Sequence, residues 1–208
     1  NFADTNDYHA SPKLFVTGLA SGTVKYGKSS VEGKDAALTL AFSGQKEIGV
    51  RYGISFISTE QARKNLEREI NSYDVSAIAR IGRNEWNDAL GKIQVSGGSE
   101  NDKTVFYTSL YRCYERPVNL SEDGKYYSAF DGKIHEDGGR SFYTDDWIWD
   151  TYRATHPLRV LIDNERENDI INSYLLMAEQ MGTDWMPTFP EVTGDTRRMN
   201  SNHAVATV

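Results

Sequence analysis

Up to residue 58 the chain runs in short apolar stretches with partial polar alternation, "KLFVTGL", "GTVKYG", "DAALTLAFS" and "KEIGVRYGISFIS", separated by Gly, Ser, Asn and Lys. Such runs and spacers predict strands of an antiparallel sheet. The last run alternates best: Ile48, Val50, Tyr52, Ile54 and Phe56 fall on one face, the pattern of a half-buried strand. At "ISTEQARKNLEREINSY" the period changes. Ser58 followed by Gln61 is a capping-box signature, and Ala62, Leu66, Ile70 and Tyr73 recur at helical spacing. A second helix is expected around "EWNDALGKI", with Trp86, Leu90 and Ile93 on one stripe and "SGGSEND" as its stop. A third, "TVFYTSLYRCYERP", is stopped by Pro117.

A long polar segment follows, "VNLSEDGKYYSAFDGKIHEDGGRSFYTDD", without clear periodicity but carrying Tyr126, Tyr127, Phe130, Phe142 and Tyr143. Segments of that length are functional or disordered, and the aromatics argue for order. Helix is expected to resume at "DWIWDTYRAT", to break near Pro157, and to return at "NERENDIINSYLLMAEQMG". There Ile171, Leu175, Ala178 and Met181 form the apolar stripe and Gly182 stands at the C-cap. The small-residue run after His203 looks like the first turns of another helix. Four or so strands are too few for a closed sandwich, and about five helices make an incomplete array. The chain therefore reads as an internal piece of a larger two-domain protein, spanning a sheet-to-helix junction.

Composition narrows the class. With 208 residues, 38% of them hydrophobic and 12% aromatic, there is material for a packed core. A net charge of −7 and the lack of a basic stripe argue against nucleic acid as a partner. No apolar run approaches the ~20 residues of a membrane helix. The single cysteine, Cys113, leaves no internal disulfide and no cysteine-based zinc site, and reads as a small buried hydrophobe. The start, "NFADTNDYHASPKLFV", lacks the charged and apolar regions of an export leader.

Candidate chemistry concentrates in "TDDWIWDTYRATHPL", residues 144–158, which holds two Trp, three Asp, a Tyr, an Arg and a His. Asp146 and Asp150, four apart on one helix face, form a carboxylate pair for a site, or else Asp145 and Asp146 merely open the helix, where its dipole favours negative charge. Asp150 is expected either to pair with Arg153 or to stand in a pocket held by that arginine. Trp147, Trp149 and Tyr152 offer flat apolar faces beside these polar groups. Aromatic planes with a few placed hydrogen-bonding groups are the composition of a carbohydrate site. "GDTRRMNSNHA" repeats it with Asp195, Arg197, Arg198, Asn202 and His203, behind Trp185 and Phe189. No strong metal-binding spacing, phosphate loop or dinucleotide fingerprint is present.

The segments "GISFISTEQARKNLEREI", "FYTSLYR", "YYSAFDGKIH", "WIWDTYRATHPL" and "DWMPTFPEVTGDTRRMNSNHAVATV" resemble, in content and order, the exo-α-mannosidases of glycoside hydrolase family 92. The resemblance runs from about Ile48 to Val208. It implies an α+β multidomain fold: residues 1–58 as part of an antiparallel β-sandwich, 59–98 as linker helices, and 99–208 as the first part of an (α/α)6 barrel. It also implies calcium-dependent, inverting removal of terminal mannose from glycans, including N-glycans, by a secreted or periplasmic enzyme. Trp149, Asp150, Arg153, Asp195, Thr196, Asn202 and His203 match the family's substrate-binding motifs. The catalytic acid and base belong to motifs with no match before Val208, so the remainder of the polypeptide is the expected partner and this chain alone is expected to be inactive. The alternatives are a non-catalytic glycan-binding module and a glycoside phosphorylase of similar architecture.

Overall fold

A computed structural model describes residues 14–20, 24–27, 33, 39–44, 46–199 and 203–208. The chain divides into two compact units, residues 14–80 and a second built from residues 81–208.

In the first unit, β1 (Phe15–Ala20) pairs antiparallel with β4 (Val50–Ser55), from Phe15 opposite Ser55 to Ala20 opposite Val50. A second antiparallel pair joins β2 (Val24–Gly27) to β3 (Leu40–Phe42). Helix α1 (Thr59–Glu69) lies on the β1 and β4 pair. It starts where the sequence predicts: the Ser58 hydroxyl accepts from the Gln61 amide at 3.0 Å. The buried face of β4 is the opposite of the expected one. Val50, Tyr52 and Ile54 are 64%, 64% and 47% exposed, whereas Gly53 and Ser55 are buried. The reason is the close approach of α1: a Cβ on Gly53 would lie 2.3 Å from the Ala62 carbonyl oxygen and 2.8 Å from the Leu66 Cβ. Only a face of small residues admits a helix backbone at that distance. The Asn65 amide donates to the Ile54 carbonyl at 3.0 Å and so ties helix to strand.

Helix α2 (Val75–Leu90) runs through the boundary between the units. In the second unit α3 (Glu100–Cys113) opens on a full capping box of Ser99 and Asp102, so "SGGSEND" begins this helix as well as following the previous one. Cys113, at its end, is half-buried and not fully enclosed as expected. The long polar segment is ordered. Its ends form a short ladder, β5 (Val118–Asn119) with β8 (Tyr143–Thr144), around a hairpin of β6 (Lys125–Ser128) and β7 (Lys133–Glu136). Tyr126 and Phe142 stack with centroids 4.0 Å apart and join a core of Leu110, Phe130, Ile148, Ile170, Tyr174 and Met177.

The expected helix over "DWIWDTYRAT" is only the four residues of α4 (Ile148–Thr151). The break comes at residues 152–154 instead of Pro157, which sits in the first turn of α5 (Thr155–Ile162), where a missing amide proton costs nothing. Helix α6 (Asn164–Met181) ends as predicted on Gly182, left-handed with φ 64°. Its buried face is Glu167, Ile170, Ser173, Tyr174 and Met177, one position round from the stripe read off the sequence. The hairpin decides this. Ser128 donates to the Gln180 side-chain carbonyl at 2.7 Å, and the Gln180 amide donates to the Tyr126 hydroxyl at 2.7 Å, turning that side of α6 inward. A tight pair of β9 (Pro190–Glu191) with β10 (Gly194–Asp195) precedes α7 (His203–Thr207), the helix foreseen after His203. Among the described residues no helix is long and apolar enough to cross a membrane.

Candidate functional site

The four residues of α4 are far fewer than a helix needs for stability in isolation, so its conformation must come from what it touches. On the outside lie its aromatics. Trp147 is 40% exposed and meets the Arg116 guanidinium carbon 4.2 Å from a ring centroid and Phe189 stacked at 5.7 Å and 17°. Arg116 is held there by Asp145 at 2.7 Å, and Asp145 adopts φ 66°. Trp149 is 43% exposed, and its ring contact is edge-on to His203 at 6.3 Å. His203 in turn stacks on Tyr152 at 4.2 Å and 19°, joining α7 to α4.

The expected pairing of Asp150 with Arg153 does not form. The Arg153 Nε donates to the Tyr152 hydroxyl at 2.7 Å, and the guanidinium carbon stands 5.3 Å from the Tyr152 ring centroid. Asp150 is exposed, and among the described residues its carboxylate has no hydrogen bond or ion pair. Trp149, Tyr152, His203 and Arg153 are thus joined through ring and hydrogen-bond contacts, while Asp150 is exposed on the same short turn as Trp149.

Asp195 and Thr196 are placed differently. The Asp195 carboxylate accepts from the amides of Thr188, Phe189 and Arg197 at 3.1, 2.9 and 3.2 Å and from the Thr188 hydroxyl at 3.0 Å. The Thr196 hydroxyl donates to the Phe189 carbonyl at 3.2 Å. Both residues thus fix the loop that presents Phe189 to Trp147. Asp195 also lines an open cleft of about 520 Å³ with Met181, Trp185, Met186, Arg197 and Met199. Asn202 lies outside the described residues.

Beneath α4 is a buried polar network that the sequence reading overlooked. Asp146, His156, Glu167 and Tyr174 are each no more than 2% exposed. The His156 Nδ1 is 2.6 Å from Glu167 Oε1, and its Nε2 is 3.0 Å from Asp146 Oδ2 and 3.1 Å from the Thr151 hydroxyl. Tyr174 donates to the same Asp146 oxygen. A carboxylate at each ring nitrogen favours the imidazolium form of His156. Burial works against its charge, but hydrogen bonds and attraction from Asp146 and Glu167 outweigh that and raise its pKa. Burial likewise opposes the Asp146 charge, and the His156 bond and charge with the Tyr174 bond bring its pKa below the ordinary carboxylate value. Tyr174, fully enclosed and beside that carboxylate, is pushed well above the usual phenol range. Arg159 faces Glu167 at 4.0 Å and donates to the carbonyls of Cys113 and Arg116, so two cations balance two anions. The available signal was Glu167, at helical spacing with Ile170, Tyr174 and Met177: a carboxylate on an apolar stripe.

The sequence profile of the glycosyl hydrolase family 92 catalytic domain matches residues 61–208. The fold is a mixed α/β one similar to that of solved mannosidases of the family. The inverting mannosidase BT2199 of Bacteroides thetaiotaomicron superposes with a TM-score of 0.80 at 29% identity over 93% of this chain and 28% of its own. The α-mannosidase BT3965 of the same organism gives 0.79 at 26% identity, over 93% of this chain and 29% of its own. A further BT3965 structure holds mannoimidazole. An Arthroderma benhamiae protein described as an uncharacterized secreted glycosidase is 29% identical over 83 residues, 38% of this chain and 11% of that protein. The chain belongs to glycoside hydrolase family 92. It spans under a third of the length of these mannosidases and about a ninth of the fungal relative.

Proposed function

We propose that the polypeptide containing this chain is an exo-acting, inverting α-mannosidase that removes terminal mannose from exported glycans, N-glycans among them, and that the surface of α4 forms one wall of its mannose pocket. The observation that carries this reading is Asp150, an exposed carboxylate with no partner among the described residues, next in sequence to the half-open indole of Trp149. An indole covers the C–H face of a sugar while a carboxylate accepts from its hydroxyls. Family membership and the mannosidase neighbours support the substrate class. A β-sandwich followed by an (α/α)6 barrel is the architecture proposed for the whole.

Inversion needs an acid and a base on opposite sides of the sugar, roughly 6.5–9.5 Å apart, with room for a water. In this chain Asp146 and Glu167 are spent on His156, and Asp195 on its own loop. By resemblance to the family, whose acid and base belong to motifs without a match in this chain, those two groups are assigned to the remainder of the polypeptide, and the isolated chain is expected to be inactive. Calcium dependence is part of the proposal. Among the described residues no group of three or more acidic, histidine or cysteine side chains converges to hold a metal ion.

The test is Asp150→Ala in the whole polypeptide. A pocket wall that loses a sugar-facing acceptor should drop kcat/KM for an α-mannoside by about a hundredfold or more. Unchanged kinetics contradict the placement of the site.

A further inference from the structure

The buried network joins three helices at the one place where the proposed wall needs support. Asp146 lies just before α4, Thr151 ends it, His156 lies in α5, and Glu167 and Tyr174 lie on α6. Thr151 is the link: its hydroxyl is 3.2 Å from Asp146 Oδ1, 3.1 Å from His156 Nε2 and 3.2 Å from the Trp147 carbonyl. Entry and exit of α4 are thereby fastened to one another and to the imidazolium beneath, with Trp149 and Asp150 projecting from the four-residue turn between. Arg159 extends the fastening. It faces Glu167 and holds the Arg116 carbonyl, and the Arg116 guanidinium covers Trp147.

We infer that Asp146, His156, Glu167 and Thr151 are positioning residues, a charged clasp that sets the angle at which Trp149 and Asp150 meet the sugar. The inference rests on the mannosidase reading and deepens it. Asp146, His156 and Glu167 are buried, and the effect of the clasp passes through the backbone of α4. Hydrophobic packing alone would hold a helix against a core, but it would leave a short turn free to rotate about its axis. Directional bonds at both of its ends remove that freedom. The groups facing His156 from the elements packed on it are Asp146, Glu167, Tyr174 and Thr151, with Arg159 beside Glu167.

The experiment uses the whole polypeptide and an aryl α-mannoside, with KM, kcat and the melting temperature read in parallel. Thr151→Val deletes the linking hydroxyl at constant volume and leaves the ions paired, so it should fold. It is expected to raise KM about fivefold, the worth of one net hydrogen bond, with a smaller effect on kcat. Thr151→Ser, which keeps the hydroxyl, should restore KM. His156→Gln, which leaves two carboxylates facing each other, should raise KM about tenfold or more where it folds. If Thr151→Val lowers only the melting temperature and leaves KM at the wild-type value, the clasp is structural and the inference is overturned while the mannosidase reading stands. If the wild-type polypeptide releases no mannose, that reading fails and the inference with it.

Discussion

At the scale of single residues, the charge on His156 follows from its neighbours. Each ring nitrogen meets a carboxylate, so the neutral tautomers would leave a nitrogen lone pair against an anion. The linkage to stability runs in two directions. Because the His156 pKa is raised on folding, its contribution is full below the ordinary value of about 6.5 and is lost as pH rises through the raised one. Because the Asp146 pKa is lowered, its contribution is full above the ordinary value of about 3.9 and is lost as pH falls through the lowered one. Thermal melting across pH should therefore show greatest stability between about pH 4 and 6.5, with an alkaline decline that begins above that window and that His156→Gln reduces. An alkaline limb identical in the variant contradicts the assignment. Glu167→Gln leaves Asp146 as the one buried anion against His156 and Arg159 and should cost about 3–5 kcal/mol in denaturant unfolding. A loss under about 1 kcal/mol means that the pair was solvated in the folded protein.

At the scale of elements, what was legible in the sequence was local. Ser58 caps α1 and Gly182 caps α6 through contacts within a few residues, and those ends stand where the pattern puts them. The buried faces of β4 and α6 depend on partners outside the elements themselves, α1 for one and the β6 and β7 hairpin for the other, and both are turned from the expected face. Likewise the pairing of Asp150 with Arg153 follows from helical spacing only if the helix continues, and α4 ends at Thr151. The cluster of Trp149, Tyr152 and His203 was within reach because composition marks it; Asp146, His156 and Glu167 were not joined because their meeting needs three helices folded together. Two glycines test the element-level picture. Gly182→Ala places a side chain at φ 64° in open space and should cost about 1 kcal/mol. Gly53→Ala drives a methyl into the α1 backbone and should cost more, about 1–3 kcal/mol. Equal losses in unfolding experiments would mean that α1 does not sit on β4 as described.

At the scale of the whole molecule, membership of glycoside hydrolase family 92 and likeness to solved mannosidases give the chain its chemical context. On the proposed reading, the chain supplies an aromatic and acidic wall over the charged cluster, and the acid and base come from elsewhere in the polypeptide. The division of labour has a consequence for the fold: the exposed Trp149 and Asp150 tolerate solvent, whereas the charges below them are sealed from it. The most direct measurement is proton NMR of an α-mannoside during hydrolysis by the whole polypeptide, following the anomeric signals before mutarotation. β-Mannose as the first product, released by wild type and suppressed in Asp150→Ala, is the predicted result. α-Mannose as the first product, or release that is indifferent to Asp150, contradicts it.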